Sequence, residues 1–401
     1  SITFEACVNI GDITSLQGTY TISGKTDKHN WFDSIDSAYG TSNIGFNSGT
    51  GGIIGAYTGN ITIESCRNAG AIIGGHNVGG IIGLHDGTAS AKATLTIQNC
   101  ANTGNVTSNS GYWGEDEGGV EGAASEGIRQ NIFGYVGGLV GVTGQYSILK
   151  MYASYNTGDI LTLSNIIGGL VGSVGVLYQP KKFGRYDNNV KTGGRSLIAY
   201  CYNIGNITAG GTFPKITEAW DIGRENYGGT ISGGFVGLAG DLQISQGYNT
   251  GNITNYGHIS YQFSWQVRAG GFIGQSEPVS ESGYTGYVLF DNLYNVGTIY
   301  VKPIDYAIVT GHTVKNNLRY GAAISGYCDV SGRSNRIKSS DCYSINNCVS
   351  SLCAVQNGTD YAYYKNKQNS WNPEVRDQWY QNEGVAGIGK TQVELLETGR
   401  V

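Results

Sequence analysis

Two short motifs alternate along this chain, and their alternation constrains its fold more than any other feature. The first, [C/S/G/L]-x-N-x-G-x-[I/V], occurs seven times, with its asparagine at Asn9, Asn68, Asn102, Asn156, Asn203, Asn249 and Asn295. The second, G-G-h-h-G with h apolar, lies between these copies, for example as "GGLVG" at Gly137 and "GGFIG" at Gly270. Because the motifs alternate, each pair predicts one unit of a repetitive fold.

The spacing of the motifs predicts the size of that unit. Twelve residues separate Asn68 from Gly80, and Gly237 from Asn249. These distances favour a minimal unit of about 25 to 30 residues with two or three strands, which suits one coil of a parallel β-helix. We therefore expect an all-β, right-handed parallel β-helix of about eight coils over residues 1–345, with inserted loops, followed by a C-terminal cap with a short helix over residues 346–401.

The residue types of the motifs fit stacked coils. One asparagine per coil predicts a structural ladder, in which side-chain amides about 4.8 Å apart pass hydrogen bonds along the axis. The apolar pair of G-G-h-h-G would fill a narrow interior, while its glycines would allow positive φ at the corners and close backbone approach.

The cysteines fall into two groups. Because they share one repeat position, the first group is read as buried free thiols in preference to a redox centre: Cys7, Cys66, Cys100 and Cys201. Four others are crowded near the C-terminus: Cys328, Cys342, Cys348 and Cys353. Their proximity in sequence is compatible with disulfides, but the sequence does not determine which cysteines pair. Since no C-x-x-C pair occurs, a zinc site is disfavoured.

Composition excludes several classes of protein. The net charge of −5 gives no basic field for a nucleic acid, and no apolar run approaches the roughly 20 residues that span a bilayer. The chain begins at Ser1 without an initiator methionine or a signal-peptide pattern, so we expect a monomeric part of a larger protein.

The two motifs together resemble the GLUG-motif repeats of large bacterial surface proteins, which include adhesins and the non-catalytic repeat region of some immunoglobulin-A-cleaving metallopeptidases. The resemblance covers about residues 1–345 and depends on the repetition of "GGLVG" and "C-Y-N-x-G-x-I". It implies a β-helical fold and an extracellular, cell-wall-anchored location on a Gram-positive cell. It implies no catalysis, because the metallopeptidase signature H-E-x-x-H is missing from the chain.

Three further patterns have a structural and a chemical interpretation. The segment from Gly384 to Thr391 fits the phosphate-loop pattern G-x-x-x-x-G-K-[ST], but Thr391 and Glu394 also form a capping box, which favours a short helix without a nucleotide. The acidic residues between Glu115 and Glu126 would suit Ca²⁺, although a solvated loop is favoured. The histidines share no metal-ligand spacing, and no metal or other cofactor is expected: His29, His76, His85, His258 and His312.

A carbohydrate-cleaving enzyme is the enzymatic alternative, because several such families use β-helices. Asp12 and Asp159 occupy the same repeat position, yet stacking would separate them by roughly 14 Å, which is too far for a pair of catalytic carboxylates. The same position holds the expected turn residues in other repeats: Asn105, Asn206 and Asn252.

Aromatic residues indicate where a partner would bind. Tyrosines that precede the repeat asparagine predict an outward column, which we read as structural stacking: Tyr155, Tyr202, Tyr248, Tyr294 and Tyr343. Other aromatic residues are not imposed by the repeat and lie in insertions, where recognition is common: Trp31, Phe32, Trp113, Phe213, Trp220, Tyr261 and Trp265.

The longest insertions are residues 14–48, 108–133, 178–197 and 209–230, and all but the third follow an Asn motif. These three should therefore project from one side of the solenoid. The leading hypothesis is a non-enzymatic surface adhesin that binds a host glycoprotein or glycan, with mucin and immunoglobulin as examples. The alternatives are a structural stalk and a carbohydrate-active enzyme.

Overall fold

The chain folds into stacked parallel strands. The computed structural model describes residues 1–15, 20–22, 25–27, 49–75, 77–88, 90–108, 134–162, 166–176, 178–180, 186–188, 194–209, 231–257, 266–277, 280–281, 284–303, 318–322, 325–328, 337–345, 349–351 and 388–390. These residues form strands and turns and include no helix. The all-β class that the repeat predicts is confirmed, and the parallel strands lie in stacked sheets, as they do in β-helices and other solenoids.

Four parallel sheets make up the described stack, and from the first coil to Cys328 the chain passes through them in a fixed order. Sheet 1 has fourteen strands: Ile2–Glu5, Val8–Asn9, Ile61–Glu64, Arg67–Asn68, Ala93–Gln98, Ala101–Asn102, Ser147–Tyr152, Tyr155–Asn156, Ser196–Ala199, Tyr202–Asn203, Leu242–Asn249, Val288–Asn295, Ile337–Ile345 and Ile388–Lys390. Sheet 2 has eight: Ile13–Thr14, Ile72–Gly74, Val106–Ser108, Ile160–Thr162, Ile207–Ala209, Ile253–Gly257, Ile299–Pro303 and Val349–Ser351.

Sheets 3 and 4 complete each coil. Sheet 3 has seven strands: Thr50–Gly51, Asn77–Gly79, Tyr135–Gly137, Ile166–Gly168, Ile231–Gly233, Gln266–Gly270 and Leu318–Ala322. Sheet 4 also has seven: Ile54–Thr58, Ile82–Asp86, Val140–Thr143, Val171–Val174, Val236–Ala239, Ile273–Ser276 and Ser325–Cys328. Three antiparallel hairpins lie outside the stack: Tyr20–Ile22 with Lys25–Asp27, Tyr178–Pro180 with Tyr186–Asn188, and Ser280–Glu281 with Tyr284–Thr285.

One coil has the predicted minimal length but more strands than predicted. Ile54 pairs with Ile82 of the next coil, so this coil is 28 residues long, and it contributes to all four sheets. The prediction of 25 to 30 residues is confirmed, whereas the prediction of two or three strands is wrong. It counted the residues between motifs but did not allow for the division of G-G-h-h-G between sheets 3 and 4.

The seven repeat asparagines form the ladder that their spacing predicts. The first six are each paired in register with the asparagine of the next coil, as Asn156 is with Asn203, and Asn295 is paired with Ser344. The Nδ2 group of Asn156 donates one hydrogen bond to Oδ1 of Asn203 at 2.9 Å and another to the carbonyl of Gly158 at 2.8 Å. The same pair of bonds recurs from Asn9 through Asn249. The buried amides thus have partners for both hydrogens.

The glycines of G-G-h-h-G are required by close packing. A Cβ on Gly234, the second glycine of its motif, would lie 2.6 Å from Cγ of Asn249 and would also overlap the carbonyl of Gly271. The second glycine of one coil therefore packs on the ladder asparagine of the next, which joins the two motifs physically. The prediction of close approach is correct, whereas the predicted positive φ is not found at these described glycines.

Positive φ occurs instead at a position that carries no glycine. One residue per coil, directly before the cysteine position, adopts a left-handed conformation between the two strands of sheet 1: Ala6, Ser65, Asn99, Ala153, Tyr200, Gln246 and Asn292. L-amino acids pay about 1 to 2 kcal/mol for this conformation. The bend is nevertheless repeated in seven coils.

Apolar side chains fill the interior in three clusters. The largest includes the inner residues of sheets 1 and 4 and both apolar residues of the G-G-h-h-G motif, such as Leu139 and Val140. A second cluster lies between sheets 2 and 3, and a third joins sheets 3 and 4. Removal of this apolar area from water is the main stabilising contribution, at about 25 cal/mol per Å².

Two strands extend the stack past residue 345. Val349–Ser351 joins sheet 2, and Ile388–Lys390 pairs with Ile337–Ile345 in sheet 1. Gly389 and Lys390 are therefore extended, whereas a phosphate loop would need a turn that opens a helix. The predicted capping helix from Thr391 lies outside the described residues, as does most of the predicted cap.

We expect the ladder to be a major source of stability. Asn203→Ala would leave the Nδ2 hydrogen of Asn156 and Oδ1 of Asn249 without partners, at a cost of about 1 to 3 kcal/mol in the free energy of unfolding. Asn9→Ala, at the half-buried end of the ladder, is the matched control and should cost about 1 kcal/mol or less. Urea unfolding measures both, and equal losses would contradict the buried ladder.

The left-handed bend predicts a substitution that stabilises. Ala153 is exposed and has a φ of 43°, so Ala153→Gly should raise the free energy of unfolding by about 0.5 to 1 kcal/mol, because glycine has no Cβ penalty there. Ala69 is also exposed but is not left-handed, and Ala69→Gly should lower it by a similar amount. Thermal unfolding of the two variants tests the opposite signs.

Candidate functional site

Insertions of different length leave the solenoid at one corner, between sheets 2 and 3. The connection has two residues between Gly74 and Asn77, but more than twenty between Ser108 and Tyr135. Despite this difference, Ser108 remains paired with Gly74 and Tyr135 with Asn77. The corner therefore accepts insertions without a change of register, which is the property expected of a scaffold that carries binding loops.

Three of the predicted insertions are anchored at this corner. Their flanking strands end at Thr14, Ser108 and Ala209 in sheet 2 and resume in sheet 3. The third long insertion, by contrast, leaves sheet 4 after Val174 and enters sheet 1 at Ser196. The predicted binding residues lie outside the described residues: Trp31, Phe32, Trp113, Phe213, Trp220, Tyr261 and Trp265.

Four tyrosines form a continuous stack on the outer face of sheet 1. The ring centroids are 4.7 Å apart for Tyr155 and Tyr202, 4.9 Å for Tyr202 and Tyr248, and 5.3 Å for Tyr248 and Tyr294. The rings are nearly parallel, with interplanar angles of at most 11°. Because each ring covers the face of its neighbour, the edges and hydroxyl groups are what the stack presents to solvent.

Apolar side chains next to this stack are exposed. Tyr200 and Ile204 flank Tyr202 at alternate positions of one coil and are 61% and 45% exposed. Burial raises the pKa of Tyr294 to about 12, with the neighbouring Tyr248 adding to the shift, so the hydroxyl of Tyr294 remains neutral at physiological pH. The stacked tyrosines thus form an aromatic strip on the outer face of sheet 1, which also carries the exposed charged residues Arg67 and Lys150, and the strip suits structural stacking as the sequence predicts.

A second polar ladder occupies the repeat position of Asp12 and Asp159, the two carboxylates considered above as a catalytic pair. Oδ1 of Asp159 accepts the backbone N–H of Asn206 at 2.8 Å, and Oδ1 of Asp12 accepts that of Ala71 at 2.7 Å. Asn206 and Asn252 accept from the following coils in the same way. Asp and Asn replace each other at this position because both provide the Oδ1 acceptor, so the carboxylates of Asp12 and Asp159 have a structural role.

His85 and Ser147 form the one described pair that resembles a catalytic base and nucleophile. Nδ1 of His85 is 2.6 Å from Oγ of Ser147, and Nε2 is 2.7 Å from the carbonyl of Gly59. A carbonyl only accepts, so Nε2 carries the hydrogen and Nδ1 accepts from the Ser147 hydroxyl. Both side chains are buried, so a substrate has no access to the hydroxyl.

Cysteine chemistry at the described positions is also suppressed. Cys66, Cys100 and Cys201 are buried free thiols, and Cys7 is half-buried. Burial raises the pKa of Cys100 and of Cys201 to about 12, which leaves almost no reactive thiolate. No group of three or more potential metal ligands converges among the residues that the structure describes. The acidic segment from Glu115 to Glu126 lies outside them.

Comparison with known proteins identifies no relative. No protein-family model matches the chain, and the searches of curated proteins and of solved structures find no significant match. The described part of the chain also contains no helix of the length and apolar character that a membrane span requires.

The buried His85 predicts a loss of stability in mild acid. Burial lowers the pKa of His85 to about 4, so the unfolded chain takes up a proton near pH 6.5 while the folded chain does not. The contribution of neutral His85 to the free energy of unfolding is present in full above pH 6.5, and it decreases by about 3 kcal/mol as the pH falls to 4. The difference in unfolding free energy between the native chain and His85→Gln should therefore shrink over this window, whereas a constant difference would contradict the assignment.

Proposed function

We propose that this chain is a non-enzymatic binding module of a bacterial cell surface, built as a right-handed parallel β-helix of about eight coils. The stacked parallel sheets and the alternating motifs support this fold, and the motifs support a relationship to GLUG-repeat surface proteins. An extracellular, cell-wall-attached location follows from that proposed relationship.

The observation that carries the proposal is the shared corner of the insertions. Three insertions that contain Trp31, Trp113 and Trp220 start from sheet 2 and return to sheet 3. Tryptophan is among the residues most enriched at the energetic centre of protein interfaces. A rigid stack that brings three such segments to one corner is suited to recognition of a large ligand.

A host extracellular glycoprotein or glycan is the proposed partner. The aromatic residues of the insertions have polar and acidic neighbours, as in "WGEDEG" after Tyr112. Tryptophan and tyrosine offer both an apolar face and a hydrogen-bonding group, which suits surfaces with mixed polarity. Mucin and immunoglobulin are the ligands that we would test first.

The test combines three substitutions in the insertions. We expect Trp31→Ala, Trp113→Ala and Trp220→Ala together to reduce retention on immobilised mucin or immunoglobulin at least tenfold, because each truncation at an interface centre costs about 1 to 2 kcal/mol or more. The melting temperature should be unchanged, since none of the three tryptophans belongs to a described strand of the stack.

A matched variant separates recognition from a general loss of aromatic residues. Trp371→Ala with Trp379→Ala removes tryptophans beyond the repeat and should retain the ligand. Undiminished retention by the folded triple variant would place the site elsewhere. Failure of the unaltered chain to bind any host ligand would favour the structural stalk.

A further inference from the structure

The tyrosine stack of Tyr155, Tyr202, Tyr248 and Tyr294 places equivalent ring atoms of successive coils next to each other. The strands that carry these tyrosines are parallel and in register. Their ring centroids are 4.7 to 5.3 Å apart, and the interplanar angles are 2° to 11°. Neighbouring rings are therefore related nearly by a translation along the stack, so the carbons beside each hydroxyl group lie opposite their equivalents in the next coil.

The rings of the tyrosine stack are open to solvent at one edge. All four tyrosines are half-buried, whereas the asparagine that follows each of them is fully buried. Because each ring covers the face of its neighbour, solvent reaches the hydroxyl group and the carbons beside it. A solute that oxidises phenols can therefore approach the rings without opening the solenoid.

Two other tyrosines are accessible but have no tyrosine at the equivalent position of an adjacent coil. Tyr200 is 61% exposed, and its neighbours along the stack of left-handed bends are alanine and glutamine. Tyr300 is half-buried and pairs with Thr254 and Ser350. A reaction that requires two adjacent phenols therefore distinguishes the tyrosine stack from Tyr200 and Tyr300.

Adjacent phenols at this spacing favour one covalent reaction. One-electron oxidation of a phenol removes an electron and a proton and leaves a radical whose unpaired electron is shared with the carbons beside the hydroxyl. Two such radicals on neighbouring rings form a carbon–carbon bond at these carbons, whose hydrogens move to the oxygens, and the product is dityrosine. Two tyrosines thus lose two electrons and two protons, which reduce one hydrogen peroxide to two water molecules when a haem peroxidase is the oxidant.

The solenoid holds the reacting rings together before oxidation. Parallel strands are spaced about 4.8 Å apart, and the ring centroids follow this spacing. Because the new bond needs only a tilt of the two side chains, neither backbone strand has to leave its register. Groups that are held in place in this way react as if at a very high concentration, so coupling within one chain is favoured over coupling between chains.

We propose that the tyrosine stack is a modification site, at which one-electron oxidants of the peroxidase class join tyrosines of successive coils through carbon–carbon bonds. The register, spacing and exposure of the rings support this assignment, which does not depend on the proposed function. A bond between Tyr155 and Tyr202 closes a covalent loop that contains one whole coil. Such a cross-link restricts the unfolded chain, so oxidation should stabilise the fold.

Oxidation of the full chain at low concentration tests this assignment. After treatment with a haem peroxidase and hydrogen peroxide, the monomeric fraction is digested with trypsin, which cleaves after Lys181 and Lys215 and so releases Tyr155 and Tyr202 in separate peptides. Mass spectrometry should find these peptides joined with the loss of two hydrogen atoms, and fragmentation should assign the bond to Tyr155 and Tyr202. The oxidised monomer should show the blue fluorescence of dityrosine and a higher melting temperature.

A double variant removes the neighbouring phenols of the tyrosine stack but keeps the rings. In Tyr202→Phe with Tyr294→Phe, phenylalanine stacks as tyrosine does but forms no phenoxyl radical. Bonds within the stack should therefore decrease at least tenfold, at an unchanged melting temperature before oxidation. The matched control, Tyr200→Phe with Tyr300→Phe, also removes two accessible tyrosines and should retain the yield of these bonds.

Three results would overturn the proposal. The first is an oxidised monomer without bonds between tyrosines of the stack. The second is an equal loss of bonds in the double variant and in its control, which would indicate random coupling of exposed phenols. The third is bonds that occur only in covalent dimers, which would assign the coupling to contacts between chains. If the double variant is unstable, the bonds mapped in the unaltered chain decide.

Discussion

The packing of an asparagine amide against a glycine of the preceding coil determines most of this architecture. Gly234 lies so close to Asn249 that a Cβ has no space, and Asn249 must be buried because that glycine covers it. A buried amide is costly unless its groups are hydrogen-bonded, and here its partners come from the neighbouring amides and from the glycine two residues later. The register of each coil therefore depends on the coils on both sides of it.

This dependence explains why residue type and spacing are fixed at some positions of the coil, whereas the length of the connection varies widely at others. The N-x-G glycine faces a carbonyl of the preceding coil, as Gly205 faces Gly158, so neither the corner nor its spacing can vary. At the corner between sheets 2 and 3, the flanking strands keep their register although the connections differ severalfold in length. Rigid stacking and variable insertions are two results of one packing arrangement, and the proposed binding function uses both.

The sequence predicts the ladder because its asparagines must align once the coils stack, as the pairing of Asn102 with Asn156 shows. It does not predict the left-handed bend, because that position holds residues as different as Ala153, Tyr200 and Gln246 and has no signature. The role of Asp12 and Asp159 as hydrogen-bond acceptors is also missed when their carboxylates are considered only as candidate catalytic groups. Their exchange with asparagine is the signal, because the two residue types share an acceptor oxygen. The binding residues of the insertions remain a prediction.

The ladder also has a direction. Every amide from Asn9 to Asn249 donates toward the later coil, so each interface has two unlike sides. A segment that extends from one ladder asparagine to the next has one donating side and one accepting side. When such a segment is duplicated or removed, the donating side of one coil therefore still meets the accepting side of the next. Gene duplication can therefore lengthen or shorten such a rod in steps of about 4.8 Å without the invention of a new interface.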